Sequence, residues 1–249
     1  MRNGDNADPW ADVTAVILAG GIGSRLKPVV SDRPKSLAAV NGRPFLSLLL
    51  DQLAAAGTRH VVFSTGYLAE QIQSAFGESY RGMVIGHSRE TTPLGTGGGL
   101  RLAARPIRSR SLLVLNGDSY CQVDLGAFLR DHVSHGLAPT LVLNWQADPS
   151  RFGRVDMDSS GAVLAFHEKA ADQPPGWINA GIYAFPQELV EAIPADRAVS
   201  LEREIFPAWI SRGLRGFPCE GRFLDIGTPE SYAQAATFFA SLAAAAGSG

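Results

Sequence analysis

Thr14-Ala-Val-Ile-Leu-Ala-Gly-Gly-Ile-Gly-Ser-Arg-Leu26 is the stretch that decides the fold. Residues 14–18 are continuously apolar and run into paired glycines, the pattern of a strand buried on both faces. Downstream, residues 45–56 have helical spacing and stop at Gly57, a C-cap residue. Residues 60–65 read as a second strand, 68–76 as a second helix stopped by Gly77, and 83–87 as a third strand. A short helix over 96–104 and a fourth strand over 111–115 continue the alternation. Strands and helices alternating at this spacing predict right-handed crossovers and a parallel sheet.

After Pro139 the pattern changes. Residues 140–145, 153–157, 163–167 and 178–185 read as strands separated by turn chemistry, such as Asp158-Ser-Ser-Gly161, rather than by helices. Helical patterns return at 187–193, 201–212 and 229–246. The expectation is one α/β domain over residues 13–246: a mostly parallel sheet flanked by helices, carrying an antiparallel annex. Residues 1–12 are expected to be a flexible extension, and Gly247-Ser-Gly249 a frayed tail.

Composition narrows the function. The chain has 249 residues, 45% of them hydrophobic and 18% charged, which excludes wholesale disorder. Twenty-two basic against 24 acidic side chains leave a net charge of −2, which argues against a partner held by its nucleic-acid backbone. Apolar stretches fall far short of the roughly 20 residues of a membrane span. The polar opening residues carry no apolar signal core, and two cysteines form no disulfide framework. A cytoplasmic protein in a reducing compartment is expected; its oligomeric state stays open.

In an open parallel sheet, ligands bind beyond the carboxyl ends of the strands. The first such end carries Gly20, Gly21 and Gly23, whose backbone N–H groups can approach an anion, with Arg25 and Lys35 to neutralise its charge. A dinucleotide fingerprint would need glycine where Leu26 stands, and a Walker loop would need Gly-Lys-Ser or Gly-Lys-Thr; both are excluded. By itself, a glycine cluster could equally be a tight turn.

The composite Leu18-Ala-Gly-Gly-Ile-Gly-Ser-Arg-Leu26, followed by Pro34-Lys35, resembles the signature of the sugar-1-phosphate nucleotidyltransferases. The resemblance continues through Pro93-Leu-Gly-Thr-Gly-Gly98, Asn116-Gly-Asp118, Glu168-Lys169, Asn179-Ala-Gly-Ile-Tyr183, Leu201-Glu202 and Phe223-Leu-Asp-Ile-Gly-Thr-Pro229, so it covers residues 13–236. It implies a Rossmann-like nucleotide-diphospho-sugar transferase fold and the reaction of an NTP with a sugar 1-phosphate, giving an NDP-sugar and pyrophosphate with Mg²⁺. The nucleotide would then be held by Leu18, Ala19, Gly20, Gly21, Gly23, Ser24, Arg25, Lys35, Gly95, Thr96, Asn116 and Gly117. Gly153, Glu168, Lys169 and Asn179 would hold the sugar phosphate. The catalytic set implied is Arg25, Lys35, Asp118 and Lys169, with Asp118 and Asp225 as metal ligands. Among subfamilies the chain resembles the heptose 1-phosphate guanylyltransferases, with mannose 1-phosphate guanylyltransferases and amino-sugar uridylyltransferases as alternatives.

The residues carry chemistry of their own. Asp118 ends one apolar run and Asp225 another, so both acids should emerge at the sheet edge, and two aspartates can hold Mg²⁺ alongside water and phosphate oxygens. Singly, each would be read as a turn cap. Glu90 precedes the loop expected along the base, and its carboxylate could accept from guanine N1–H and N2–H. Gly98 and Gly99 cost a helix about 1 kcal/mol each relative to alanine, which a backbone lying under a base or phosphate would justify.

Three other patterns are weaker. His132 and His135 have chelating spacing but lack a third ligand, and are expected on a solvated helix face. Cys121 is expected as a small buried hydrophobe. Asp156-Met-Asp158 matches the metal motif of nucleotide-sugar-dependent glycosyltransferases, although a hairpin turn explains it. A non-catalytic nucleotide-sugar sensor is the remaining alternative, and the presence of Arg25, Lys35, Asp118, Lys169 and Asp225 counts against it.

Overall fold

Strand β1 (Val13–Ala19) is sandwiched between two apolar clusters, and its residues alternate between them. Ala15 and Ile17 face one cluster, Val16 and Leu18 the other, which is why the run carries no polar alternation. The computed structural model describes residues 8–21, 23–167, 169–171, 173–195 and 197–246. After the small ribbon of β2 (Ala39–Val40) and β3 (Arg43–Pro44) come α1 (Phe45–Ala56), β4 (His60–Thr65), α2 (Ala69–Phe76), β5 (Ser79–Tyr80), β6 (Met83–Arg89), α3 (Gly95–Ala104) and β7 (Ser111–Asn116). Helix α1 inserts Phe45, Leu46, Leu49, Leu50 and Leu53 into the first cluster, and α3 covers the second with Leu100, Ala103 and Ala104. Each fully buried large side chain of this kind contributes about 1.5–3 kcal/mol. Gly57 ends α1 in the left-handed region, with φ 96°, as its position predicts.

The second half is formed by β8 (Ser119–Cys121), α4 (Leu125–Ser134), β9 (Thr140–Gln146), β10 (Arg154–Met157), β11 (Val163–Phe166), β12 (Gly176–Pro186), α5 (Gln187–Glu191), α6 (Phe206–Ile210), β13 (Arg215–Cys219), β14 (Phe223–Asp225), α7 (Pro229–Ala233) and α8 (Ala235–Ala246). The sheet order is β11-β10-β12-β7-β1-β4-β6-β5. Strands β7, β1, β4 and β6 are parallel; β12 joins β7 antiparallel and opens the annex, as expected. On the other side β12 pairs β9, to which β13 is added in parallel.

Several details depart from the sequence reading. Residues 201–212 do not form one helix: a wide turn over Leu201–Ile205 precedes α6, where Pro207 lacks the N–H that would continue the ladder. The last helix is likewise split, at Gln234. His132 is not solvated. It falls with Leu125, Phe128 and Leu129 on the buried face of α4, donates from Nδ1 to the Ala138 carbonyl at 2.8 Å, and meets Ser111 Oγ through Nε2 at 3.1 Å. His135 stays on the outer side, beside Asp131. Of the expected extension, residues 8–12 are described and packed: Trp10 is buried against Gly57, Asp8 pairs with Arg59, and Asp12 accepts from the Arg110 N–H. Residues 1–7 and 247–249 lie outside the described residues.

Candidate active site

The carboxyl ends of the parallel strands are in register. Ala19 lies opposite Thr65, Leu18 opposite Asn116, and Thr65 opposite Arg89. Loops after β1, β4, β6 and β7 therefore open at one edge and enclose a two-lobed cleft, its lobes sharing Leu18, Gly21, Gly23, Ser24 and Asp118.

The smaller lobe, about 250 Å³, is lined by the glycine loop with Ala19, Arg25, Lys35, Ser36, Gly117 and Gly227. A short turn over Lys35–Leu37, closed by the Leu37 N–H on the Pro34 carbonyl, brings Lys35 beneath the loop. Gly23 makes room: its φ is +64°, and a Cβ there would stand 2.9 Å from Lys35 Cβ. The largely buried Lys35 donates from Nζ to Asp118 Oδ2 at 2.6 Å, so a cation and an acid 83 residues apart meet at the mouth of the cleft.

The larger lobe, about 1000 Å³, is lined by Gly20, Ser64, Gly66, Tyr67, Arg89 and Glu90 together with Gly95, Thr96, Asn116 and Glu202. Glu90 extends the sheet pairing through its N–H on the Thr65 carbonyl, and its Oε2 accepts from the Leu94 N–H at 3.0 Å. Oε1 presses on two glycines, since a Cβ on Gly20 or Gly66 would stand 2.7 or 2.6 Å from it. Burial raises the Glu90 carboxyl above its ordinary value, partly offset by the Leu94 N–H. The glycines of α3 have a reason the sequence did not supply. A Cβ on Gly97 would meet Val199 at 3.1 Å and one on Gly98 would meet Leu94 at 2.9 Å, so both are needed for packing. Gly99 faces Ser64 Oγ and Glu90 at the cleft. Across the lobe, Thr96 Oγ1 donates to Glu202 at 2.8 Å and accepts from the Leu201 N–H.

Asp118 and Asp225 converge because β8 pairs with β14: Asp225 lies opposite Ser119, and the Ile226 N–H donates to the Asp118 carbonyl. Asp225 Oδ1 accepts from the Gly227 N–H at 2.9 Å and lies 3.8 Å from Arg151 Nη2. Burial, then the nearby Asp118 charge, push its carboxyl above the usual range. Deeper in, the buried Tyr183 hydroxyl accepts from Asn116 Nδ2 at 3.2 Å and from Asn179 Nδ2 at 3.1 Å, linking the ends of β7 and the middle of β12. Asn116 Oδ1 has no hydrogen-bond partner among the described residues.

Every residue expected to hold nucleotide thus lines the cleft. Asn179 reaches its rim only through Tyr183, Gly153 is buried beside Arg151, and Lys169 is exposed in the loop after β11; none of the three lines the cleft. Glu168 lies outside the described residues. The Asp-x-Asp pattern is used elsewhere: Asp158 caps its turn through Ser160 and Ala162, while Asp156 pairs with His167 and Arg154. Sequence reasoning missed Ser64, Gly66, Tyr67 and Arg89, although they follow from the same strand-end rule once β4 and β6 are placed. Tyr183 and Glu202 stand in the matched motifs without a role of their own, and their contacts, like that of Arg151 with Asp225, emerge only in the folded chain. Among the described residues no three metal-ligating side chains cluster, and no helix is long and apolar enough to cross a membrane.

The nucleotidyl transferase family model matches residues 14–241. The mannose-1-phosphate guanylyltransferase of Mycobacterium tuberculosis is 40% identical over 88% of this chain, which spans 62% of that protein. The D-glycero-α-D-manno-heptose 1-phosphate guanylyltransferase of Aneurinibacillus thermoaerophilus is 35% identical over 89% of this chain and 96% of its own length. Among solved structures, HddC from Yersinia pseudotuberculosis, complexed with GMP-PN, is similar with a TM-score of 0.80 and 31% identity, covering 91% of this chain and 99% of that one.

Proposed function

This chain belongs to the nucleotidyl transferase family, and on that premise we propose that it joins GTP to a sugar 1-phosphate of the manno-heptose or mannose type, releasing pyrophosphate. The observation that carries the reading is the cleft itself, with a glycine loop and the Lys35–Asp118 pair in one lobe and Glu90 in the other. The guanylyltransferase names of both relatives and the GMP-PN of the HddC complex support guanine. Manno-heptose and mannose 1-phosphates both stay within the proposal, because the relatives named for them are 35% and 40% identical to this chain.

In the proposed reaction a phosphate oxygen of the sugar attacks the α-phosphorus of GTP and pyrophosphate departs. The step brings two anions together, so the protein contributes position and charge rather than a covalent intermediate. Backbone N–H groups of the glycine loop, with Arg25 and Lys35, hold the triphosphate. Lys169 is assigned to the sugar phosphate; it lies on an exposed loop, and a loop movement toward the cleft is part of this reading. Glu168, Gly153 and Asn179 are assigned to the sugar hydroxyls. Glu90 Oε1 is the acceptor offered to the guanine edge.

Asp118 and Asp225 fit a divalent cation such as Mg²⁺. Both offer hard carboxylate oxygens, and Asp225 is held where its negative charge is disfavoured unless a cation is close. When bound, such an ion neutralises charge on the phosphates. Without it, Lys35 serves Asp118 as counter-ion.

A matrix of GTP, ATP, UTP, CTP and dTTP against several sugar 1-phosphates, read by pyrophosphate release, tests the proposal. GTP with a manno-heptose or mannose 1-phosphate should lead; preference for UTP and an amino-sugar phosphate would overturn it.

A further inference from the structure

Cys121 and Cys219 have no part in the reaction above, yet their sulfurs meet in the core at 3.8 Å. Cys121 ends β8, three residues after Asp118, and Cys219 ends β13 just before the turn into β14 and Asp225. The surrounding backbone is fixed. Gln122 N–H donates to the Arg222 carbonyl at 2.8 Å, and Asn144 Nδ2 donates to the carbonyls of Cys219 and Gly221 at 3.1 and 2.7 Å. The two thiols are thus held facing each other, one on the strand that follows Asp118 and one on the strand that precedes β14 and Asp225.

We propose that Cys121 and Cys219 form a reversible thiol–disulfide site whose oxidation slows the enzyme. Cys219 is the first nucleophile. It is the less buried of the two, and the Cys121 S–H and the Gly221 N–H at 3.4 Å lower its thiol pKa against burial, while the Gln122 carbonyl, 3.5 Å away, accepts from the thiol in its neutral form. Its thiolate attacks one sulfur of a small-molecule disulfide, breaking that S–S bond and expelling one thiolate, which takes a proton. Cys121 then loses its proton and attacks the mixed disulfide, expelling the second thiol. The protein gives up two electrons and two protons, and the oxidant becomes two thiols. The new bond ties the end of β8 to the end of β13 and shifts the antiparallel β8–β14 pair that holds Asp118 and Asp225. The effect on turnover rests on the role given to those acids; formation of the bond does not.

The test treats the full chain with hydroxyethyl disulfide and removes the reagent. The expected result is an intact mass lower by about 2 Da, a peptide map joining Cys121 to Cys219, and a severalfold loss of turnover reversed by dithiothreitol. Cys219→Ser should keep its turnover through the same treatment, and Cys219→Ala serves if the serine variant does not fold. Two thiols still alkylated by iodoacetamide after denaturation, or a persistent mixed disulfide, would overturn the site. An internal disulfide with unchanged turnover, or equal loss in the cysteine variant, would overturn its control of activity. Because mass and mapping need no turnover, an enzyme inactive on every substrate pair before oxidation would defeat the functional reading alone.

Discussion

Replacing Glu90 with glutamine probes base selection where the geometry is most specific. Oε2 is committed to the Leu94 N–H at 3.0 Å, and Oε1 sits over Gly20 and Gly66 at the floor of the larger lobe. In Glu90→Gln the amide oxygen can keep the Leu94 contact, which turns the NH₂ toward the position of Oε1. A guanine N–H arriving there meets a donor in place of an acceptor. One mispaired buried polar contact costs on the order of 1–3 kcal/mol, roughly tenfold to a hundredfold in kcat/KM. Turnover of GTP should fall by that factor while UTP, which offers a single N–H between two carbonyls, changes little or improves. Gly66→Ala supplies an independent arm: its Cβ would force the carboxylate aside without altering charge, and should lower the GTP preference in the same direction. Stability moves the other way. Burial raises the folded-state pKa of Glu90, so its contribution to stability is present at acid pH and is lost as pH rises through that value. The glutamine variant should therefore melt no lower than wild type at pH 7, with its relative advantage shrinking on acidification. An unchanged GTP-to-UTP ratio in a folded Glu90→Gln protein would refute the reasoning.

Asp118→Asn and Asp225→Asn should each abolish turnover with circular dichroism unchanged, and should remove the rise in Tm that Mg²⁺ gives the wild type; normal Mg²⁺-dependent activity in either would refute the metal assignment. Tyr183→Phe strips the shared acceptor from Asn116 and Asn179 and should cost on the order of 1–3 kcal/mol in denaturant unfolding, while raising KM for the sugar phosphate more than for GTP. His132 is buried in its neutral form, and burial holds its pKa below the ordinary histidine value. The unfolded chain thus takes up a proton first, so stability is full above about pH 6.5 and falls as pH drops toward the folded-state value. A pH series of Tm should show that slope in the wild type and a flatter one in His132→Gln.

What could be read in advance was whatever local pattern dictates. The double burial of β1, the cap at Gly57 and the alternation through β7 are period and punctuation, and they pointed to the sheet edge where the cleft opens; the wider set of lining residues came from the family resemblance. His132 was misread because its i, i+3 relation to His135 drew attention from its i−3, i−4 and i−7 relation to Leu129, Phe128 and Leu125, which buries it. The β8–β14 pairing was not legible: each strand has three residues, and their partnership depends on contacts about a hundred positions apart. The same holds for Lys35 on Asp118, Arg151 near Asp225, and the sulfur contact of Cys121 with Cys219. Gly98 shows the reverse error, since it answers to Leu94 rather than to a ligand, whereas Gly99 faces the cleft.

Following separately labelled α- and γ-phosphates of GTP through one turnover with a manno-heptose or mannose 1-phosphate tests the proposed chemistry most directly. In-line attack on the α-phosphorus predicts that the α-label leaves in the sugar nucleotide and the γ-label in pyrophosphate, in equal amounts. Release of the γ-label as orthophosphate, or of the α-label as GMP without a sugar product, would contradict the account.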